Sequence, residues 1–274
     1  MIAALIIVFR EIIEAGLVVG IVLAATRDVP KRGLWISYGI GAGVAGACLV
    51  AAFAGAIGNA FAGSGHELFN AVILLVAVVM LTWHNVWMAR HGRAIAAAVK
   101  AVGEAVVAGS RTMAALAIVV GIAVLREGSE VVLFLFGIAV SSKDTPIAMV
   151  IGSVAGVLFG AGISIVIYKG LLRIPVRYLF SVTSWLIALL AAGMAAQAIA
   201  FLQISGVVTP LAKTLWDTSN FLADDSILGK VLHTLIGYTD RPTVLQLLVY
   251  LGTLTTIFAL MRLLGTVPRR PAIA

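Results

Sequence analysis

Cysteine and charge are both scarce in this 274-residue chain. The single cysteine, Cys48, supports neither a disulfide framework nor a thiolate metal cage. Charged residues make up 11% of the sequence and hydrophobic residues 62%, with a mean hydropathy of +1.12. That balance excludes an ordinary soluble domain. No Lys or Arg precedes the first apolar run, MIAALIIVF, so a signal-peptide n-region is lacking and the run reads as a retained first span. No Glu-x-x-His pair occurs, which argues against a membrane-embedded di-metal enzyme. The methionines are scattered and suggest no soft-metal path.

What is present is a series of apolar stretches of about 20 residues, each enough to cross about 30 Å of hydrocarbon at 1.5 Å per residue. Seven spans are expected, near 2–25, 34–58, 68–89, 113–140, 146–168, 178–202 and 243–264. The expected fold is an all-α polytopic membrane protein forming a single membrane domain over 1–274. Basic residues fall mainly on one side, in the groups around Lys31, Lys100, Arg173 and Arg269. The positive-inside rule then puts the N-terminus outside and the C-terminus in the cytoplasm of a multi-pass cell-membrane protein. The net charge of +7 is accounted for by this asymmetry and is no nucleic-acid footprint.

Two of the spans carry the same charged pattern: Arg10-Glu11-Ile12-Ile13-Glu14 and Arg126-Glu127-Gly128-Ser129-Glu130. Residues i, i+1 and i+4 of a helix share one face closely enough for Arg, Glu and Glu to point the same way. Ionisable groups inside hydrocarbon cost roughly 2.5–3.5 kcal/mol each on insertion scales, so three per helix are not there for stability. A structural ion pair would need one carboxylate per arginine, and each copy has one too many. Glu11, Glu14, Glu127 and Glu130 are therefore expected to hold a cation, with Arg10 and Arg126 tuning the site charge. An all-oxygen site suits hard cations. It does not choose among Fe(III), Fe(II), Mn(II) and other ions.

The copies begin spans one and four. Because three spans per unit is an odd number, the second unit is expected to be inverted relative to the first, with the site near the midplane between them. Repeat one covers about 1–112 and repeat two about 113–202, followed by an outer loop, 203–242, and a seventh span, 243–264. Glycines spaced by four in span two (Gly39, Gly43) and span five (Gly152, Gly156, Gly160) are expected to let helix backbones approach closely. Residues 94–108 read as a separate Ala-rich amphipathic helix at the cytoplasmic interface. In the outer loop, Ser226 is expected to cap a short helix that ends near Gly237.

The doubled motif resembles the signature of the oxidase-dependent iron transporters, the iron permease family, and the similarity extends to the late stretch LHTLIGYTDRPTVLQ. The second copy fits the family's R-E-G-x-E. The first departs from it, with Ile12 where Gly is frequent. The resemblance implies a permease, not an enzyme, that moves iron into the cytoplasm as its transported substrate, with no permanently bound cofactor. It also implies a periplasmic or extracellular oxidase or iron-delivery partner besides the membrane lipid. A transporter of another cation, lead or manganese, on the same scaffold stays open. Outside the motif, His66, Glu67, Asp217, Asp224 and Asp225 form a candidate outer cation collector, against which stands an ordinary solvated loop. His84 and Asn85, beside Trp83 and Trp87, read first as part of an aromatic interface belt and only second as ligands.

Overall fold

The computed structural model describes residues 1–60, 66–141, 145–170, 176–224 and 226–265. Asp225 and the basic residues Lys143, Arg173, Arg269 and Arg270 lie outside them, as does the side chain of His66. Among the described residues the regular structure is helical, and the strand pairing is one isolated antiparallel bridge between Thr214 and Thr243. Eight helices follow in order: α1 (Ile2–Ala25), α2 (Arg32–Ala60), α3 (His66–Val107), α4 (Ala114–Ser141), α5 (Pro146–Tyr168), α6 (Val176–Ile204), α7 (Ile227–Ile236) and α8 (Val244–Gly265).

Local chemistry sets several of the boundaries. Thr145 caps α5 by accepting the Ala148 N–H at 3.3 Å, with Pro146 at the first helical position where its missing N–H costs nothing. Ser226 caps α7 through the Gly229 N–H at 2.9 Å, and Gly237 closes that helix in the left-handed conformation at φ 69°. The expected outer helix is thus present, with Leu228 and Ile236 exposed. Thr243 and Gln246 form a reciprocal capping box at the start of α8: the Thr243 N–H donates to Gln246 Oε1 at 2.7 Å, and the Gln246 N–H donates to Thr243 Oγ1 at 3.2 Å.

Five helices, α2, α3, α5, α6 and α8, have a stretch long and apolar enough to cross a membrane. The motif helices α1 and α4 have the length, 24 and 28 residues, and differ by their three ionisable groups each. α3 runs unbroken for 42 residues, about 63 Å at 1.5 Å per residue. The amphipathic segment 94–108 is therefore no separate helix but the continuation of α3. Its Val99 and Val106 are buried in one cluster with Val22, Ile36, Leu116 and Val120, and α3 packs on α1 and α4.

Packing follows the glycines. α1 lies along α5, α2 along α4, and α3 along α6, while α1 also meets α4. A Cβ on Gly43 would fall 2.8 Å from the Gly121 carbonyl oxygen, and one on Gly156 would fall 2.8 Å from that of Leu5. Backbone-to-backbone contact of this kind admits no side chain. The main apolar core, with Ile7, Leu74, Phe134, Ile187 and Ile257, joins α1, α3, α4, α6 and α8 around one end of the motif region. The second core, with Val22, Val99 and Val120, fills the other end. The charged residues of α1 and α4 sit between the two.

Candidate metal centre

Arg10 is 2% exposed, and it spans both acids of its own helix: Nη1 lies 2.8 Å from Glu11 Oε1 and Nη2 lies 2.8 Å from Glu14 Oε1. The i, i+4 offset stacks Glu14 one turn above Arg10, and the planar guanidinium reaches both carboxylates at once. Arg126 is arranged differently. Its Nε lies 3.1 Å from Glu130 Oε1 and 3.8 Å from Glu127 Oε1, and its guanidinium carbon sits 4.1 Å from the centroid of the Trp87 ring. About a third of its side chain is exposed. Of the two R-E-x-x-E motifs, one has its arginine sealed in and the other has it at an edge, over an indole.

The two acidic faces meet. Glu11, Glu127, Glu130 and His84 each offer a ligand atom, and these atoms all lie within 4.8 Å of one another. Glu14 adjoins the group, with Oε2 3.5 Å from His84 Nε2. His84 lies between the motifs: Nδ1 contacts Glu130 Oε2, and Nε2 is 3.9 Å from Glu11 Oε2. The imidazole is buried, and Phe134 stands edge-on to it with centroids 6.4 Å apart. Asn85, next in sequence, points to α6 and donates to the Ser184 carbonyl at 3.0 Å. An interface-belt place for His84 is thus overturned. Trp83 is 70% exposed, and the 100° turn to the next residue carries His84 inward.

Glu11 Oε2, Glu14 Oε2, Glu127 Oε2, Glu130 Oε2 and both ring nitrogens of His84 are buried without a well-formed hydrogen bond, whereas Glu14 Oε1 is held by Arg10. Buried polar groups are normally satisfied, and each one left unpaired costs about 1–3 kcal/mol. A cation placed among these atoms would satisfy several together. With all four acids ionised and both arginines charged, the formal charge is −2, which a divalent ion cancels. A cavity of about 360 Å³, lined by Val79, Met80, Trp83, Trp87 and Arg126, opens onto His84 and Glu130.

Of the candidate outer residues, Glu67, Asp217 and Asp224 are described, and each has a local setting of its own. Asp217 accepts from the Ser219 hydroxyl at 2.6 Å and the Ser219 N–H at 3.0 Å, and it pairs with Arg241 at 3.1 Å. Those hydrogen bonds first, and Arg241 next, hold its carboxyl below the usual carboxylate range. Asp224 and Asp240 exchange side-chain and backbone bonds at 2.9 and 3.3 Å, pinning the loop to the approach of α8. Glu67 is in the first turn of α3.

Long helices, five of them apolar enough to cross a membrane, define a polytopic helical membrane protein. The chain belongs to the Iron permease FTR1 family, whose model matches residues 1–267. It is 32% identical over 248 residues to the ferrous iron permease EfeU of Yersinia pestis, covering 89% of this chain and 87% of that one. It is 31% identical over 273 residues to the ferrous iron permease EfeU of Escherichia coli O157:H7, covering 97% and 98%. No solved structure matches. The family resemblance carried by the doubled motif is borne out, and the protein is an iron permease of the cell membrane, not an enzyme.

Proposed function

We propose that the chain carries iron, as Fe(II), into the cytoplasm through the site formed where the two R-E-x-x-E motifs meet. One observation carries this reading: Glu11, Glu127 and Glu130, brought from two helices 116 positions apart in sequence, present buried and unsatisfied oxygens to a common centre, with Glu14 alongside. The formal charge of −2 suits a divalent cargo, and the relatives are described as ferrous iron permeases. Arg10 and Arg126 keep four acids tolerable in hydrocarbon between loadings.

Seven spans, with α1 and α4 crossing the bilayer and the N-terminus outside, belong to the same reading. So does an inverted repeat of α1–α3 and α4–α6. Exchanging the two units turns the α1–α5 pair into the α4–α2 pair and leaves α3–α6 and α1–α4 unchanged, and these are the pairings observed. The two motifs then cross at the repeat axis, where midplane sites form. An oxidase or iron-delivery partner would act from the side of the 203–242 loop.

The test is Fe(II) uptake by cells expressing Glu11→Gln, Glu14→Gln, Glu127→Gln or Glu130→Gln, normalised to membrane-inserted protein. Each variant should insert and lose most of its uptake. Wild-type uptake per inserted molecule in these variants would sink the shared site.

A further inference from the structure

The R-E-x-x-E motifs supply only oxygen, yet the assembled cluster contains nitrogen. We propose that His84 is a direct ligand of the transported ion and sets the site's preference for borderline divalent ions such as Fe(II) over hard ones. The inference rests on the reading of this cluster as the transport site and adds its specificity-determining donor.

Geometry supports ligation over mere proximity. His84 is 4% exposed, and both of its ring nitrogens face carboxylates from different helices: Nδ1 meets Glu130 of α4, and Nε2 lies near Glu11 and Glu14 of α1. Neither nitrogen has a well-formed hydrogen bond. Ligand atoms of a bound first-row ion sit about 2.0–2.2 Å from it, so donors a few ångströms apart can share one ion after small side-chain movements. Glu11, Glu127, Glu130 and His84 meet that condition.

Glu14 stands outside that group and has another use. Its Oε1 is held by Arg10, and its Oε2 is directed to His84 Nε2 at 3.5 Å. Metal-bound histidines usually donate their second ring N–H to a carboxylate, a backbone carbonyl or water, which fixes the ring and raises its basicity. With Nδ1 on the ion, Glu14 is that carboxylate. The first motif thus divides its labour: Glu11 ligates, and Glu14, clamped by Arg10, positions the imidazole.

Softness gives the chemical consequence. Carboxylates alone accept Mg(II), Ca(II) and Mn(II) readily, whereas an imidazole favours the later first-row ions. Exchanging His84 for an oxygen donor should therefore weaken Co(II) more than Mn(II), the two ions that bracket Fe(II) in the Irving–Williams order.

The experiment uses the purified full-length protein in detergent with one equivalent of Mn(II), examined by pulsed electron paramagnetic resonance. The wild type should show modulation from a directly bound imidazole ¹⁴N, and His84→Gln should lose it while still binding the ion. In titrations, the Co(II)-to-Mn(II) affinity ratio should fall about tenfold in His84→Gln, the low end of what perturbing a metal's ligand environment does. Mn(II) bound by the wild type with no ¹⁴N coupling would overturn the His84 proposal and leave an all-oxygen transport site standing. Coupling that persists in His84→Gln would do the same, by assigning the nitrogen to another histidine. Wild-type protein that binds neither ion would sink the transport-site reading and this inference with it. If His84→Gln fails to insert, the wild-type spectrum alone decides.

Discussion

Ile12 of the first motif occupies the space left by Gly160 of α5: a Cβ on that glycine would fall 2.8 Å from Ile12 Cγ2 and 2.9 Å from Ile12 Cβ. In the second motif the bulk is exchanged, for a Cβ on Gly128 would fall 2.6 Å from the Cβ of Ala47 in α2. The first motif's departure from R-E-G-x-E is therefore matched by a smaller residue on the facing helix. Gly160→Ala should destabilise the protein by about 1–3 kcal/mol, the usual cost of overpacking. Adding Ile12→Gly, which copies the second motif's arrangement, should recover part of that loss. Recovery stays partial because the Phe9 carbonyl oxygen also lies 3.0 Å from the added Cβ. Thermal unfolding of the two singles and the double in detergent reads the coupling, and strictly additive losses would rule out the compensation.

The two arginines should not be equivalent. Arg10→Leu leaves Glu11 and Glu14 buried without their cation, a change worth about 3–5 kcal/mol, and it should lower the yield of folded protein. Arg10→Lys keeps the charge but not the fork that spans both acids, and should retain part of the uptake. Arg126→Leu should cost less stability, because its side chain is 34% exposed and borders a cavity together with Glu130. Folded yield and melting temperature of the three variants test the ranking. A larger loss for Arg126→Leu than for Arg10→Leu contradicts it.

The carboxylates should behave as one unit. If Glu14 positions the histidine and Glu127 ligates, either change alone removes most of the function, and the Glu14→Gln/Glu127→Gln double should be scarcely worse than the more damaging single. Fe(II) uptake per inserted molecule measures this. Two independent sites would instead give multiplying losses.

Orientation is open to a direct assay. In a background with Cys48 replaced, Asn220→Cys in the outer loop should react with an impermeant thiol reagent in intact cells, and Lys100→Cys in the α3 arm should not. Both positions are exposed, so access to the reagent depends on the membrane side alone. The opposite labelling pattern would invert the topology.

Trp87 gives a further expectation. The indole under Arg126 contributes a partly desolvated cation–π contact, worth about 1–2 kcal/mol. Trp87→Ala should free Arg126 and widen the cavity, changing the rate of uptake more than the ion-binding affinity. A change confined to affinity would place Trp87 in the binding role instead.

Much of this was legible in the chain, because hydrocarbon imposes a simple rule on sequence. Each expected span corresponds to a helix, and the caps at Ser226 and Gly237 fall where side-chain chemistry put them. The motif acids also converge. Two things were hidden. The continuity of α3 was masked by the polar run Arg90-His91-Gly92-Arg93, which resembles a loop but contains no proline to stop a helix. His84 was masked by its neighbours, since Trp83 and Trp87 are the residues expected at a membrane interface. Only packing shows that the helix turns these side chains different ways and delivers the imidazole to Glu130.

That unbroken α3 has a mechanical meaning. Its contacts with the first motif helix include His84 at the carboxylate cluster and, far along the rod, Gly103, where an added Cβ would fall 2.6 Å from the Cβ of Ala25 at the end of α1. The two contacts are about 28 Å apart along one stiff rod. Swinging the imidazole away from the carboxylates by turning α3 must therefore shear or drag the distant contact as well. On the proposed site the arm would act as a torsion bar, and a partner that grips its far end would set the imidazole's position among the carboxylates.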